Sequence, residues 1–394
     1  MEKKIVKAGF AGSGFASRFH YDALQHVFST KVEVAGVFSV AREEAEQFAA
    51  QRGGMKVFDT LEEMVDASDV IHVCVPPAFH EDIVMAALKK DKDVIVEKPF
   101  TGYFGDGTPE FDGRDFPRQE GLLKTVESIK RMLEAEKNSK GRIMYAENWV
   151  YAPPVQKERE IIEKSKAQIL WMHGEQSHGG SHSLAYGQWK FSGGGSLIGK
   201  GCHPLTAMLY LKQVEGRVRL GRPIRPVTVS ARVHSITRME TYENLGTLKD
   251  HYQDVEDFAQ VHIVFEDGTV ADVFANELSL GGTNNWIRVS ANNHRTLCNM
   301  SHNNTMETYT PEEKYYNDIY VVEKAETKQG WSQISPDEGW FLGYQHELDA
   351  FYKASATGGY VESNSSLAAD TMVVIYAAYT SAERNGVEVT VENL

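Results

Sequence analysis

Cysteine is scarce in this chain of 394 residues: there are three, Cys74, Cys202 and Cys298, far apart and without a Cys-x-x-Cys pair. That pattern excludes a disulfide framework and a zinc ribbon. Basic residues are outnumbered, with 41 Lys and Arg against 55 Asp and Glu, a formal net charge of −14. Lacking a cationic excess to neutralise phosphates, the chain is expected to bind neither DNA nor RNA, and anionic membrane surfaces repel it. Nowhere do ~18 uncharged apolar residues stand together, so no transmembrane helix is expected. The opening Met-Glu-Lys-Lys-Ile-Val holds no apolar stretch of signal-peptide length. A cytoplasmic, reducing location is the expectation. With 42% hydrophobic and 24% charged residues, the composition is that of an ordinary globular protein. At roughly 150 residues per domain, the length implies two or three domains.

The first hundred residues alternate between two kinds of segment. Short apolar runs at 5–8, 32–38, 55–58, 70–75 and 94–96 read as strands. Between them stand helix-like stretches, such as Phe15, Phe19 and Ala23 at i, i+4, i+8. Thr60 with Glu63 is a capping-box pattern. Strands joined by crossover helices imply a parallel sheet covered on both faces, a doubly wound α/β domain over about residues 1–125. Residues 101–120, rich in Gly, Asp and Pro, read as an inserted surface loop, and 122–136 as a helix. Beyond about residue 140 the strands lengthen and alternate, at 142–150, 168–175, 227–236, 259–265 and 270–274, with Asp267-Gly268 as a hairpin turn. This predicts a second α+β domain, residues 126–394, built on a largely antiparallel sheet and closed by helices at 341–353 and 368–384.

Gly12-Ser13-Gly14-Phe15-Ala16-Ser17 follows a strand and opens a helix, the context of a dinucleotide-binding turn. Gly12 permits the tight turn and Gly14 lets the backbone approach a pyrophosphate. The helix N-terminus offers free N–H groups to the anion, and Ser17 is small enough for close helix–strand packing. At the end of the second strand, NAD recognition calls for an acidic residue on the ribose; here stand Ser39 and, beyond it, Arg42. A hydroxyl does not repel a 2′-phosphate and an arginine can pair with one, which leans the cofactor from NAD towards NADP.

Three further segments complete a pattern: Val75-Pro76-Pro77-Ala78-Phe79-His80 after the fourth strand, Glu97-Lys98-Pro99 after the fifth, and 189–203, a glycine-rich run that ends in Cys202-His203. With the N-terminal turn these resemble the glucose–fructose oxidoreductase/inositol dehydrogenase/rhizopine-catabolism (Gfo/Idh/MocA) family, over nearly the whole chain. The resemblance implies an N-terminal NAD(P) domain and a C-terminal open-faced sheet that forms both substrate pocket and oligomer interface. It also implies oxidation or reduction of a ring carbon of sugars, inositols and related polyols. Val75, Pro76, His80 and Glu97 would line the cofactor. Lys98, outside the carboxyl ends of the strands, would sit beside the nicotinamide, where a lysine can serve as base or polarise a carbonyl. His203 matches the family's proton-transferring histidine. The family's aspartate is missing, with Gly199 in its place and Lys200 next. Like charges near one oxygen depress each other's pKa, so Lys98, Lys200 or His203 in neutral form would be a base near neutral pH.

Trp189, Asn148, Tyr151, Gln176, His178 and His182 are the candidates for contacts to a polyhydroxylated ligand. His173, His178, His182 and His203 invite a metal reading, but no Cys or Asp/Glu completes a ligand set by spacing, and no metal is expected. The leading expectation is an NAD(P)-dependent oxidoreductase acting on a sugar, glycoside or cyclitol, and forming a homodimer or tetramer. The alternatives are a redox-neutral enzyme that cleaves glycosides by oxidation and elimination, or epimerises them, and a non-catalytic dinucleotide or sugar sensor.

Overall fold

The computed structural model describes residues 5–301 and 305–394. In the N-terminal domain, β1 (Ile5–Ala11), β2 (Lys31–Phe38), β3 (Val70–Val73), β4 (Asp93–Glu97) and β5 (Ile143–Ala146) form a parallel sheet in the order β2-β1-β3-β4-β5. The crossovers are α1 (Phe15–Leu24), α2 (Arg42–Ala50), α3 (Leu61–Ala67), α4 (His80–Leu88) and α5 (Arg118–Lys137). Thr60 caps α3 by accepting from the Glu63 N–H, as its sequence pattern predicts. The strand expected at 55–58 is reduced to one bridge between Val57 and Val37. The parallel sheet also outlasts the boundary expected near residue 125. Its last strand, β5, follows α5, so residues 126–146 belong to this first layer and not to the second domain.

The second domain adds α6 (Pro153–Ser165), β6 (Ile169–Ser177), a one-turn α7 (Trp189–Ser192) and α8 (Cys202–Leu220). Strands β7 (Pro226–His234), β8 (Phe258–Phe265), β9 (Val270–Asn276), β10 (Asn284–Ala291) and β11 (Arg295–Asn299) follow. After them come a small hairpin, β12 (Glu307–Thr310) with β13 (Gly330–Gln333), then α9 (Glu338–Phe341), α10 (Tyr344–Thr357), α11 (Ser365–Glu383) and β14 (Val389–Thr390). Seven strands form a mixed sheet in the order β11-β10-β6-β9-β8-β7-β14, antiparallel except where β6 meets β9. Asp267-Gly268 makes the β8–β9 turn, with Gly268 at φ 79°.

Burial alternates along these strands, as a sheet with one covered face requires. The covered face packs under α8 and α11. The open face keeps cross-strand neighbours such as Arg288, His173, Asp272 and His262 in one row. Helix α11, buried almost throughout, touches α5, β5, α8 and β7 and so locks the two layers together. The segment expected as a surface loop, 101–120, has aromatic side chains that turn inward. Tyr103, Phe111 and Phe116 meet one another edge-on or tilted, and Phe116 meets Trp189.

Candidate active site

The first part of the site is the turn after β1. Gly12 sits at φ 104°, and a Cβ there would lie 2.3 Å from the Cys74 carbonyl oxygen, so only glycine permits this approach to the end of β3. Ser17, fully buried, donates its hydroxyl to the Gly12 carbonyl at 2.8 Å and closes the turn against α1. Gly14 begins the helix without a capping side chain, and a Cβ there would meet nothing within 4 Å. No acidic residue stands in the first turn of α1, and the buried Ser13 hydroxyl has no hydrogen-bond partner. Open space, uncapped N–H groups and an orphaned hydroxyl are what a pyrophosphate needs, so these residues fit a dinucleotide. Phe15 lies exposed beside it.

At the rim of the second strand, Ser39 accepts from the Ala41 N–H at 3.3 Å. The Arg42 guanidinium is occupied by Glu46 and Asp59, both exposed. The arginine that leaned the cofactor towards NADP therefore already has two carboxylate partners. His80 is a fully buried staple, with one ring nitrogen 3.0 Å from the Pro99 carbonyl and the other 3.0 Å from that of Val75. It does not face a cofactor itself; it fixes the two loops that carry Val75, Pro76 and Glu97.

Glu97 ends β4. Its carboxylate accepts from the Lys98 backbone N–H at 2.9 Å and pairs with His20 of α1 at 2.9 Å. Beneath it, His20 Nδ1 lies 2.8 Å from His72 Nδ1, and His72 Nε2 lies 2.7 Å from the Tyr352 hydroxyl. Burial lowers the affinity of His20 for protons, but Cys74 and Glu97 outweigh it and raise its pKa well above the ordinary value. Burial alone pushes Glu97 up, and the neighbouring His20 and Lys98 bring it below the usual carboxyl value. A cationic His20 and an anionic Glu97 thus underlie Lys98.

The Lys98 ammonium donates to the Gly199 carbonyl at 2.9 Å, with the Tyr186 ring 6.0 Å away. Burial opposes its charge, but Tyr186, Cys202, Glu97 and Glu147 overcome this and hold its pKa above the ordinary lysine value. The expectation of a depressed Lys98 does not hold: its neighbours favour the charged form more than burial disfavours it. Lys200 does lie below its ordinary value, first through burial and also through the charge of Lys98, against the pull of Glu277. Its ammonium pairs with Glu277, which also accepts from the Tyr252 hydroxyl at 2.7 Å.

Both lysines belong to one constellation with His203, because the glycine-rich run delivers them together. Gly195 and Leu197 donate their N–H groups to the buried Glu256 carboxylate at 3.0 and 2.9 Å. A Cβ on Gly195 would lie 1.9 Å from the Glu256 carbonyl oxygen, so the tight approach demands glycine there. A π-type turn, Leu197–Gly201, then leads into α8 and presents Gly199, Lys200, Cys202 and His203 to the end of β4. Such turns recur at functional sites. His203 Nδ1 meets Glu147 at 2.5 Å, and its ring stacks on Trp149.

The remaining expected contacts divide. His178 is buried, accepts from the Gly180 N–H at 3.1 Å and lies 3.9 Å from Glu277. Burial and the charges of Lys200, Lys324 and Lys98 hold its pKa far below the ordinary value, so it stands neutral beside the lysines. His182 is exposed, and Gln176 keeps a buried side-chain oxygen without a partner. Three others are packing residues. Trp189, 1% exposed, donates its indole N–H to the Tyr103 carbonyl at 2.8 Å beneath Phe116 and Tyr379, so no sugar ring can reach it. Asn148 donates to the Leu342 carbonyl at 2.8 Å, and the Tyr151 hydroxyl accepts from the Ser363 N–H at 3.1 Å. His173 lies on the open sheet face, stacked on Trp171 and away from this constellation. Among the described residues, potential metal-ligand atoms of Glu147, Cys202 and His203 lie within 4.8 Å of one another. Burial raises the Cys202 thiol, and the Lys98 cation lies close by, so this donor set does not favour a further cation.

Glu147, Glu277 and Tyr252 were not singled out in the sequence. The signal for Glu147 was a charged residue within the apolar stretch Ile143 to Val150; for Glu277, an acid directly after the last residue of β9.

Comparison with known proteins agrees with this architecture. Residues 6–108 match the model of the Gfo/Idh/MocA oxidoreductase family, described as an NAD-binding Rossmann fold. Over those residues the chain resembles that family. The match lies within the N-terminal parallel sheet and its helices, the layer that carries the glycine turn. Glucose-6-phosphate 3-dehydrogenase of Bacillus subtilis is 36% identical over 95 residues, covering 24% of this chain and 26% of the relative. Inositol 2-dehydrogenase of Cereibacter sphaeroides is 34% identical over 119 residues, 30% of this chain and 34% of the relative. These matches span well under half of the relatives' length. Among solved structures, GenD2 from gentamicin A biosynthesis, in complex with NAD, superposes with a TM-score of 0.76 at 20% identity. That match covers 100% of this chain and 97% of the other. Levoglucosan dehydrogenase, in complex with NADH and levoglucosan, gives 0.70 at 18% identity, covering 99% and 100%. Such likenesses show the shared fold. No helix among the described residues is long and apolar enough to cross a membrane.

Proposed function

We propose that the protein is an NAD(P)-dependent dehydrogenase that interconverts a ring secondary alcohol and its ketone on a sugar, glycoside or cyclitol. The observation that carries this reading is the meeting of Lys98, Lys200 and His203 through the Gly199 turn, at the carboxyl end of the parallel sheet that bears the dinucleotide turn. When bound, the nicotinamide supplies the hydride acceptor or donor. The protein has to orient the alcohol and manage its proton. Lys98, held as a cation, is suited to bind the reacting oxygen and stabilise negative charge on it. His203 is suited to take the hydroxyl proton. Lys200, Glu277 and neutral His178 offer donors and acceptors to neighbouring hydroxyls.

The named relatives support a carbohydrate or cyclitol substrate, one of them phosphorylated. Two observations bear on the nucleotide. The Ser39 hydroxyl does not repel a 2′-phosphate, and the two carboxylate partners of Arg42 are exposed, so that phosphate can displace them from the guanidinium. NADP is therefore the nucleotide proposed, and binding constants for NADH and NADPH test it.

A redox-neutral glycoside cleavage has one feature in its favour: two separate acid–base pairs, His203 with Glu147 and Lys200 with Glu277, flank the turn that Lys98 binds. Elimination needs a second proton-handling pair, whereas a simple dehydrogenation needs one. We also propose a homo-oligomer formed through the open sheet face, which leaves Trp171 and Leu297 exposed; light scattering tests this. The functional test uses protein with NAD+ or NADP+ and, in turn, myo-inositol, glucose 6-phosphate, levoglucosan and a methyl glycoside. Reduced cofactor supports the dehydrogenase, and cleaved glycoside without reduced cofactor supports the redox-neutral cycle. With none of these, the sensor reading stands.

A further inference from the structure

Glu147 is completely buried, at the end of β5 where the chain turns into residues 148–151. A carboxyl group there has lost its hydration, which is costly unless something specific compensates it. One oxygen, Oε1, meets His203 Nδ1 at 2.5 Å and accepts from the Trp149 N–H at 3.5 Å. The other, Oε2, has no hydrogen-bond partner. Lys98 lies close enough to feel its charge. Trp149 lies parallel to the imidazole, with ring centroids 5.7 Å apart and planes inclined by 22°. The carboxylate and the indole therefore leave the His203 ring little freedom to rotate.

We propose that Glu147 is the positioning residue of the proton transfer. Its carboxylate fixes His203 with the proton on Nδ1 and the lone pair on Nε2. The inference rests on the reading of His203 as proton acceptor. A carboxylate only accepts hydrogen bonds, so Nδ1 has to carry the hydrogen, and Nε2 is left as the basic atom. When Nε2 takes the proton of a substrate hydroxyl, the O–H bond breaks, an N–H bond forms and the imidazole becomes a cation. Glu147, 2.5 Å from the opposite nitrogen, then balances the new charge without itself being protonated. The first sheet supplies the carboxylate and the second domain the imidazole, 56 residues apart in sequence. The relay thus exists only when the two layers are docked.

Nitrogen-15 NMR of histidine-labelled protein, with His203→Ala used to assign the resonance, reads the tautomer without any substrate. The parent is expected to show the Nδ1–H form. In Glu147→Gln, whose amide can donate as well as accept, a substantial Nε2–H population is expected. With whichever compound of the functional panel reacts, Glu147→Gln should lower kcat by about 10² to 10⁴-fold with little change in KM. Glu147→Asp, which keeps the carboxylate, should recover part of that loss. NADH affinity should be unchanged in both, which controls for folding. An Nε2–H form in the parent, or the same tautomer in parent and Glu147→Gln, overturns the proposal. If His203→Ala retains full turnover while the tautomer behaves as expected, the reading of His203 fails and the positioning of its ring stands.

Discussion

Lys98 donates its side-chain N–H to the carbonyl of Gly199 at 2.9 Å, tying the end of the parallel sheet to the turn that carries Lys200 and His203. This bond joins two parts of the chain 101 residues apart and holds the glycine-rich turn against the end of β4.

The dinucleotide turn can be tested by separating packing from ligand contact. A Cβ at Gly14 meets no protein atom, and the residue's φ of −81° suits any amino acid. Gly14→Val should leave the unfolding midpoint almost unmoved and weaken NAD(H) and NADP(H) binding at least tenfold. Gly12→Ala, with its clash at the Cys74 carbonyl and its φ of 104°, should lower stability as well. Fluorescence titration with urea melts checks both; a Gly14→Val protein that binds nucleotide like the parent removes the turn from the site.

The buried His20–Glu97 pair gives a pH signature. Stability from a raised histidine is complete below its ordinary value of 6.5 and is lost as pH rises through its folded value. Stability from a lowered carboxyl is present above its ordinary value of 4.5 and is lost as pH falls through its folded value. The pair therefore contributes fully between those two ordinary values and fades at high pH. Destabilisation by His20→Asn, measured by urea unfolding, should be on the order of 3 kcal/mol near pH 6 and clearly smaller near pH 10. A penalty that is equal or larger at the higher pH contradicts the assignment.

Lys200 and Glu277 are both almost wholly buried. Glu277→Gln leaves a buried ammonium without its counter-ion and should cost about 3–5 kcal/mol. Combining it with Lys200→Met should restore much of this loss, because both charges are then gone. Simple addition of the two single penalties in thermal or chemical unfolding would show that the pair is not coupled.

How much of this was legible in the sequence depends on how local each feature is. The glycine turn of Gly12, Gly14 and Ser17 is written within a single strand–turn–helix, and the structure forms that strand, turn and helix there. Lys98 could be placed because it ends a strand. The domain boundary was misplaced because β5 is four residues long and follows a twenty-residue helix, so its pairing with β4 leaves no periodic trace. Trp189 resembles a sugar platform in sequence, yet the 101–120 segment folds over it, and no local pattern announces that contact. Glu147 is a charge inside an apolar stretch, a visible oddity whose meaning depends on a histidine in the other domain. The expected depression of the Lys98 pKa weighed only Lys200 against it; Tyr186, Cys202 and Glu147, which with the adjacent Glu97 raise it, reach Lys98 only through the fold.

The most direct test of the account follows reduced nicotinamide, at roughly 340 nm, after the reactive polyol or sugar is added to the protein with its preferred nucleotide. It compares the parent with Lys98→Met and His203→Ala. The expected result is turnover by the parent and a fall of at least about 10²-fold in kcat in each variant, with nucleotide affinity intact. Full turnover in either variant, or no reduction of either nucleotide by the parent across the panel, would contradict it.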